Sequence, residues 1–487
     1  MIFSKVKWLL GGVLMAGLFH HGAVHAAASQ AVLDRVVNGQ ATFRLSQTTG
    51  LAADESVDRD ANELIQQTDA MLKRLNTNRQ FRLDRAPIVS IEWRGKGRTI
   101  KGDAQRPEPT KVREQFNDDT DGFRSYANAG ADTLDSFTAY NPTSRNIFEM
   151  RFPRSMRASL HSQAMQTGAV HGFNNDAAPA DRAIEREEKT ELVPLGWSMN
   201  DDNRIRIGSL NTRITTWPWR TIVHFSNTCS GTLIGPRHVV TAAHCINPSG
   251  TDDFSAFTVR SERNGSDWLG SSAMPGCPNS STQACPNTGA AYWYFTPSQW
   301  RQASVSNREQ YDFGIIVLPD RLGDAVGWMG YWYADVNALE TVDKYNRGYP
   351  SCNAMSGNQA RIDDPADPAM CATCTTDLTV CSANHMYGDA AACSIANATN
   401  TDGDGWNRNV RMTCDASAGH SGSPLYIYGD GNVGSSGSVY YTAHDIQWIC
   451  GGTATSSSCA NVPRADRLLR MTPEYAEWIS YFRDTFP

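Results

Sequence analysis

At 487 residues the chain exceeds the ~100 to 200 residues of a typical single core, so more than one unit is expected. Its 44 Lys plus Arg against 51 Asp plus Glu give a formal net charge of −7, which excludes the basic field needed to hold nucleic acid or an anionic membrane. All 12 cysteines lie at or after Cys229, an even, one-sided set that reads as disulfides confined to the C-terminal unit of an exported protein.

Lys5 and Lys7 precede an apolar run from Trp8 to Phe19, and small residues follow at Ala23, Val24, Ala26, Ala27 and Ala28. This is the layout of a secretory signal peptide over residues 1–26, cleaved near Ala26 or Ala28. The run is shorter than the ~20 residues that span a bilayer, so no membrane association is expected after cleavage. Residues 27–200 hold no cysteine, and their 23 Lys plus Arg nearly cancel 24 Asp plus Glu. Within them Asn62 to Leu75 has a helical pattern, with Leu64, Ile65, Met71, Leu72 and Leu75 on one apolar face. The charged stretch Glu185-Arg-Glu-Glu-Lys-Thr-Glu191 is of the exposed kind that proteases nick. Residues 27–200 therefore read as a separate pro-region, with an accessory or linker domain as the other reading.

Beyond the junction, β-branched and aromatic runs recur between turn clusters at Thr221 to Phe225, Val239 to Ala242, Phe257 to Arg260, Tyr292 to Phe295, Ile315 to Leu318, Leu425 to Tyr428, and Ser438 to His444. That spacing predicts an all-β sandwich or barrel. Thr472 and Pro473 make a helix start, and Tyr475, Trp478, Ile479 and Phe482 fall at i, i+3, i+4 and i+7, the pattern of a closing amphipathic helix.

The chemistry concentrates in three segments. Cys229 to Cys245 reads as two strands joined by a turn at Gly235-Pro236, ending in Thr241-Ala-Ala-His244-Cys245. A bridge between its cysteines would fix the backbone beside His244, which suits a general base that must stay within reach of its partner. Tyr311-Asp312-Phe-Gly314 places a carboxylate at the mouth of an apolar strand. Asp415-Ala-Ser-Ala-Gly-His-Ser421-Gly-Ser-Pro424 sets a serine among small residues that let the chain turn sharply. Short loops favour the bridges Cys229 with Cys245, Cys277 with Cys285, and Cys450 with Cys459. Partners among Cys352, Cys371, Cys374, Cys381, Cys393 and Cys414 are left open. Cys371-Ala-Thr-Cys374 lacks the second CxxC or HxxxH of a zinc site, so disulfides are the better reading.

These residues resemble the three signature segments of the chymotrypsin-like serine endopeptidases, and the order His, Asp, Ser separates them from α/β-hydrolases. Within that family Asn211 to His224 and Gly422-Ser-Pro424 are most similar to the bacterial glutamyl endopeptidase branch, with the resemblance covering residues 201–487. It implies two packed antiparallel six-stranded β-barrels with the active site between them, and the closing helix against the second. It also implies a catalytic triad of His244, Asp312 and Ser421, an oxyanion hole from the amides of Gly419 and Ser421, and residues 27–200 as a segment that keeps the protease inert during export. Protein or peptide substrates and the chain's own pro-region are then the partners, and the enzyme is expected to act as a monomer. A chymotrypsin-like domain used only for binding is the reading from another class.

Two departures from the family stand out. His420 replaces the aspartate that pairs with a freed N-terminal amine in the digestive branch, and Tyr345 to Asn409 forms an enlarged loop region carrying five cysteines. For substrate preference, His444 stands where the glutamyl branch contacts an acidic side chain, while Asp415 stands where trypsin-type enzymes attract Arg or Lys. From Asp201 onward the chain holds 5 Glu against 22 Asp, and one Lys against 18 Arg. A secreted protease that survives its own activity sheds the residue it prefers, so the balance favours cleavage after Glu over trypsin-like cleavage. No metal or cofactor is required. Asn400-Thr-Asp402-Gly-Asp404-Gly405 resembles the first half of a calcium loop but ends on Arg411, leaving a structural calcium as an option only.

Overall fold

The first strands of the chain pair with one another before any of the signature segments is reached. β1 (Gln30–Val37) and β2 (Ala41–Thr48) form an antiparallel hairpin, and α1 (Glu55–Thr77) carries the chain over to β3 (Ile88–Lys96), which lies parallel to β2. A parallel pair needs such a crossover. The helix supplies it because Val57, Ala61, Leu64, Ile65, Met71 and Leu72 make a single buried stripe. β4 (Arg98–Lys101) follows, then β5 (Ser136–Tyr140) and β6 (Asn146–Arg151), an antiparallel pair turned by Asn141, whose side chain accepts the amides of Thr143 and Ser144. This structure is a computed structural model. It describes residues 30–37, 41–48, 55–77, 88–101, 134–153, 156, 204–207, 215–227, 229–264, 267–269, 292–303, 308–334, 336–350, 385–389, 392–401, 407–414, 416, 419–429, 438–447 and 466–487. The signal peptide, the junction at 185–191, Asp415, the acidic half of the calcium-like loop, and Cys277, Cys285, Cys352, Cys371, Cys374, Cys381, Cys450 and Cys459 lie outside the described residues.

After β7 (Arg204–Arg206) come β8 (Ile222–Phe225), β9 (Cys229–Leu233) and β10 (His238–Thr241), a three-strand meander, and then the single helical turn α2 (Ala243–Ile246). β11 (Asp253–Ala256) pairs in parallel with β4, while β12 (Val259–Asn264) joins β8 and carries β13 (Asp267–Leu269) at its edge. β14 (Trp293–Pro297) and β15 (Gly314–Val317) complete this sheet. Its strand order is β1-β2-β3-β6-β5-β14-β15-β10-β9-β8-β12-β13.

The second sheet is built from β16 (Gly330–Tyr331), β17 (Lys344–Asn346), β19 (Ile395–Thr401), β20 (Asn407–Met412), β21 (Pro424–Tyr428), β22 (Val439–Gln447) and β23 (Asp466–Arg470). They run β17-β21-β22-β23-β20-β19 with β16 on β22, and the short β18 (Tyr387–Asp389) pairs with β7. The chain closes in α3 (Pro473–Thr485), capped by Thr472, whose side chain accepts the Tyr475 amide.

The mostly β character and the closing helix agree with the sequence reading. Two six-stranded barrels are not what the ladders give, since the sheets hold twelve and seven strands along open paths. In the first sheet β5 takes the edge of β14, with pairs running from Tyr140 on Tyr294 to Phe137 on Pro297. Strands of the N-terminal region and of the protease-like region therefore share one sheet. The closing helix meets both sheets: Phe482 of α3 packs 4.4 Å from Phe295 and 5.1 Å from Phe137 on the twelve-stranded sheet, and Arg483 lies over the Tyr331 ring of β16 in the second at 5.8 Å.

Candidate active site

Three segments converge where the two sheets meet. His244 sits on α2, just past the end of β10, and Asp312 comes two residues before β15, which pairs with β10. Because β10 and β15 are antiparallel neighbours, the end of one and the beginning of the other lie side by side, with Thr241 opposite Gly314. Gly314 lets them approach: a Cβ there would stand 2.6 Å from Ile246 Cδ1 and 3.3 Å from the Ala242 carbonyl. The Asp-Phe-Gly pattern therefore has a packing reason in addition to a chemical one.

The carboxylate of Asp312 holds His244 at two points. Oδ1 accepts the His244 backbone N–H at 2.8 Å, and Oδ2 lies 2.7 Å from Nδ1 of the ring. With Asp312 buried at 4% exposure, this pairing fixes the ring plane and places the proton on Nδ1, leaving Nε2 as the acceptor. The Cys229–Cys245 disulfide expected from the short loop is formed and ties α2 back to β9.

Ser421 arrives from the other sheet, three residues before β21. Its carbonyl accepts the Ser230 N–H at 2.8 Å and lies 3.6 Å from the sulfur of Cys245, the neighbour of His244. The turn around it is held by Gly422 N–H donating to the Asp445 carbonyl at 2.7 Å and Ser423 N–H donating to the His420 carbonyl at 2.6 Å. Gly422 has φ +83°, and a Cβ there would stand 2.2 Å from both the Ser230 carbonyl and Thr241 Oγ1. Only glycine permits that contact. Gly419, with φ +103°, opens the same turn.

A model of the trypsin family matches residues 206–276, the stretch that carries His244. Glutamyl endopeptidase of Bacillus licheniformis is 31% identical over 189 residues, covering 37% of this chain and 52% of that protein. The chain resembles the chymotrypsin-like serine endopeptidases, close to their glutamyl branch. It spans about half the length of that relative. A protein named extracellular metalloprotease, from Bacillus subtilis, is 28% identical over 246 residues, covering 47% of this chain and 71% of its own length. A solved structure of a Glu endopeptidase in complex with MPD covers 59% of this chain and 99% of its own at 17% identity, with a TM-score of 0.36, too low an overlap to bear on the fold.

Set beside the family pattern, His444 takes an unexpected place. It is 1% exposed and lies behind Asp312, with Nε2–H donating to the Asp312 backbone carbonyl at 2.9 Å and Nδ1 accepting from the Tyr441 hydroxyl. A carbonyl can only accept, so the proton must be on Nε2, and both ring nitrogens are occupied. A substrate carboxylate could reach this ring only by displacing one of those partners. Burial pushes the His444 pKa down to about 4, against the partial opposition of Asp312. His224 and His238 are also driven well below the usual range by burial, with nearby arginines adding to the effect.

The sign of the linkage is set by the unfolded state, which binds protons near pH 6.5 while these folded rings stay neutral. Their contribution to stability is complete above about pH 6.5 and is lost as pH falls toward 4, with His444 alone accounting for about 3 kcal/mol. Urea midpoints measured across that window should fall steeply. In His444→Gln the slope should correspond to about one proton fewer taken up on unfolding.

Two residues at the site carry no motif. Ser230 is fully buried. Its Oγ donates to the Gly419 carbonyl at 2.9 Å and accepts the Tyr349 N–H at 2.9 Å, while its own N–H holds Ser421. Asn346 receives His420 Nδ1 at 3.2 Å and donates to Ser423 Oγ and the Pro424 carbonyl at 3.1 Å each. His420 is thus turned inward to Asn346. A serine after a cysteine and an asparagine in a short strand give no local signal, so only the fold reveals that they brace the Ser421 turn. Cys393 pairs with Cys414, one of the partnerships the sequence left open. The two described groupings that could ligate a metal, Cys229 with His244 and Cys245, and Asp389 with Cys393 and Cys414, both include disulfide sulfur, which has no thiolate to offer.

Proposed function

We propose that this chain is an exported serine endopeptidase, made as a precursor, that hydrolyses peptide bonds through His244, Asp312 and Ser421. The observation that supports the reading is the two-point grip of Asp312 on His244, with the Ser421 carbonyl held by the Ser230 N–H and lying 3.6 Å from the sulfur of Cys245, the neighbour of His244. His244 Nε2 takes the Ser421 proton as Oγ attacks the carbonyl, and Asp312 stabilises the imidazolium that forms. The tetrahedral oxyanion is received by the amides of Gly419 and Ser421, each contributing about 3 kcal/mol in comparable sites. Among the described residues neither amide is paired with a backbone carbonyl. His244 then returns the proton to the leaving amine, and water releases the acyl group by the same steps. No cofactor takes part.

Cleavage after Glu is favoured by the resemblance to a glutamyl endopeptidase and by the 5 Glu against 22 Asp from Asp201 onward. It does not lean on His444, and the Glu-rich junction at 185–191 is the natural place for self-processing. A fluorophosphonate probe should label the matured protein on Ser421, located by peptide mass spectrometry. Reporter peptides should be cut at Glu in preference to Asp, Arg and Phe. Labelling without Glu cleavage would move the specificity to Arg or Lys, and absence of labelling would leave a binding domain.

A further inference from the structure

The N-terminal region reaches the protease unit along three separate lines. The first is the main-chain ladder of β5 on β14, which continues the twelve-stranded sheet from one region into the other. A second is the parallel pairing of β4 with β11, beside which Tyr140 stacks on Phe254 at 3.9 Å and Arg98 pairs with Asp253 at 2.7 Å. A third is α3: Phe137 lies 4.6 Å from Trp478, Thr68 of α1 shares a hydrogen bond with Tyr481 at 3.0 Å, and Trp478 Nε1–H donates to the Leu134 carbonyl at 2.9 Å. Phe137, Tyr140, Trp478 and Tyr481 are fully buried. None of these contacts covers His244 or Ser421, both of which keep partial exposure.

The last described residue of the N-terminal region is Met156, and the next described residues, Arg204 to Arg206, already pair with β18 of the protease unit. Every contact named above therefore lies outside the 157–203 connection. A cut at the 185–191 junction would sever the chain without removing any of them. Because no cysteine precedes Cys229, any association that survives the cut is noncovalent.

We propose that residues 27 to the junction remain with the protease after processing, as a bound second chain that completes the first sheet and caps α3, rather than as an inhibitor that departs. A departing segment would leave the β14 edge unpaired and expose Trp478, Tyr481 and Phe482 together, an aggregation-prone surface. The retained segment also supports the site. The Leu134 N–H donates to Glu474 Oε1 at 2.6 Å, Glu474 pairs with Arg408, and Arg408 bonds Gln310, two residues before Asp312.

This deepens the precursor reading, and the test is arranged so that the two can fail apart. In the full chain carrying Ser421→Ala, residues 185–191 are replaced by the recognition sequence of a site-specific protease, the chain is cut there, and the product is run on gel filtration at micromolar concentration with and without reductant. Both fragments should elute together at the position of the uncut chain in either buffer. Phe137→Asp, cut in the same way, should lose the N-terminal fragment from that peak, and the remaining fragment should melt at a lower temperature. Elution of the unsubstituted C-terminal fragment by itself, melting where the uncut chain melts, overturns the proposal. A wild-type chain that never cuts itself defeats the precursor reading and leaves this experiment intact, because the engineered cut needs no catalysis by the protein.

Discussion

Ser421→Ala should lower kcat by about 10⁶-fold with the melting temperature unchanged. The two halves of that expectation come from different atoms. In the proposed mechanism Ser421 Oγ is the nucleophile, whereas the turn is held through the Ser421 carbonyl on Ser230 and the amides of Gly422 and Ser423, none of which the substitution alters. Asp312→Asn should cost about 10⁴-fold, for a reason the geometry makes specific. With Oδ1 kept on the His244 N–H, the amide nitrogen of Asn would replace Oδ2 against Nδ1 and donate to it. The ring proton must then move to Nε2, the atom that has to accept from Ser421. Because the proposed mechanism has the three groups act as a unit, the double variant should be no slower than Ser421→Ala. Burst-phase and steady-state kinetics on a reporter peptide measure all three, and additive losses would mean that the residues do not share one step.

What the sequence made legible was local. Asp312 before an apolar run, the disulfide-closed loop ending at His244 and the small residues around Ser421 each satisfy a requirement within a few residues of themselves, and so does the Thr472-Pro473 start of α3. Strand runs such as Val239 to Ala242 and Leu425 to Tyr428 show the same thing, since a buried strand announces itself by its own β-branched and aromatic content. What stayed hidden was pairing at a distance. Nothing in Phe137 to Tyr140 says that its edge is met by Tyr294 to Pro297, because a ladder is made by backbone groups that every residue carries. The helix face of Trp478 and Phe482 was readable as apolar, but not which sheet it would cover. His444 shows the limit of reading by position: its place in the sequence pointed to substrate, and its surroundings tie it to the Asp312 backbone.

The second large effect belongs to a residue that no motif marks. Glu474 and Arg408 form an ion pair at 2.8 Å with both side chains 1% exposed, and Glu474→Gln should destabilise the protein by about 3 to 5 kcal/mol. The carboxylate is fully used: Oε2 accepts from Arg408, and Oε1 accepts the Leu134 N–H at 2.6 Å. An amide keeps only one of those acceptors and turns its NH₂ toward either a guanidinium or another N–H. Arg408 then stays charged and buried after losing its counter-charge, with the side-chain carbonyl of Gln310 at 3.1 Å and the Tyr311 ring at 5.2 Å among the groups still beside it. The expected signature in urea unfolding is therefore asymmetric. Removing one charge should cost far more than replacing both, so Arg408→Met with Glu474→Leu should recover most of the stability that Glu474→Gln loses. Because Gln310 and Tyr311 lead directly into Asp312, kcat should fall in Glu474→Gln even at temperatures where the fold persists. A loss of stability with kcat untouched would show that the pair holds α3 and the N-terminal region together without reaching Asp312.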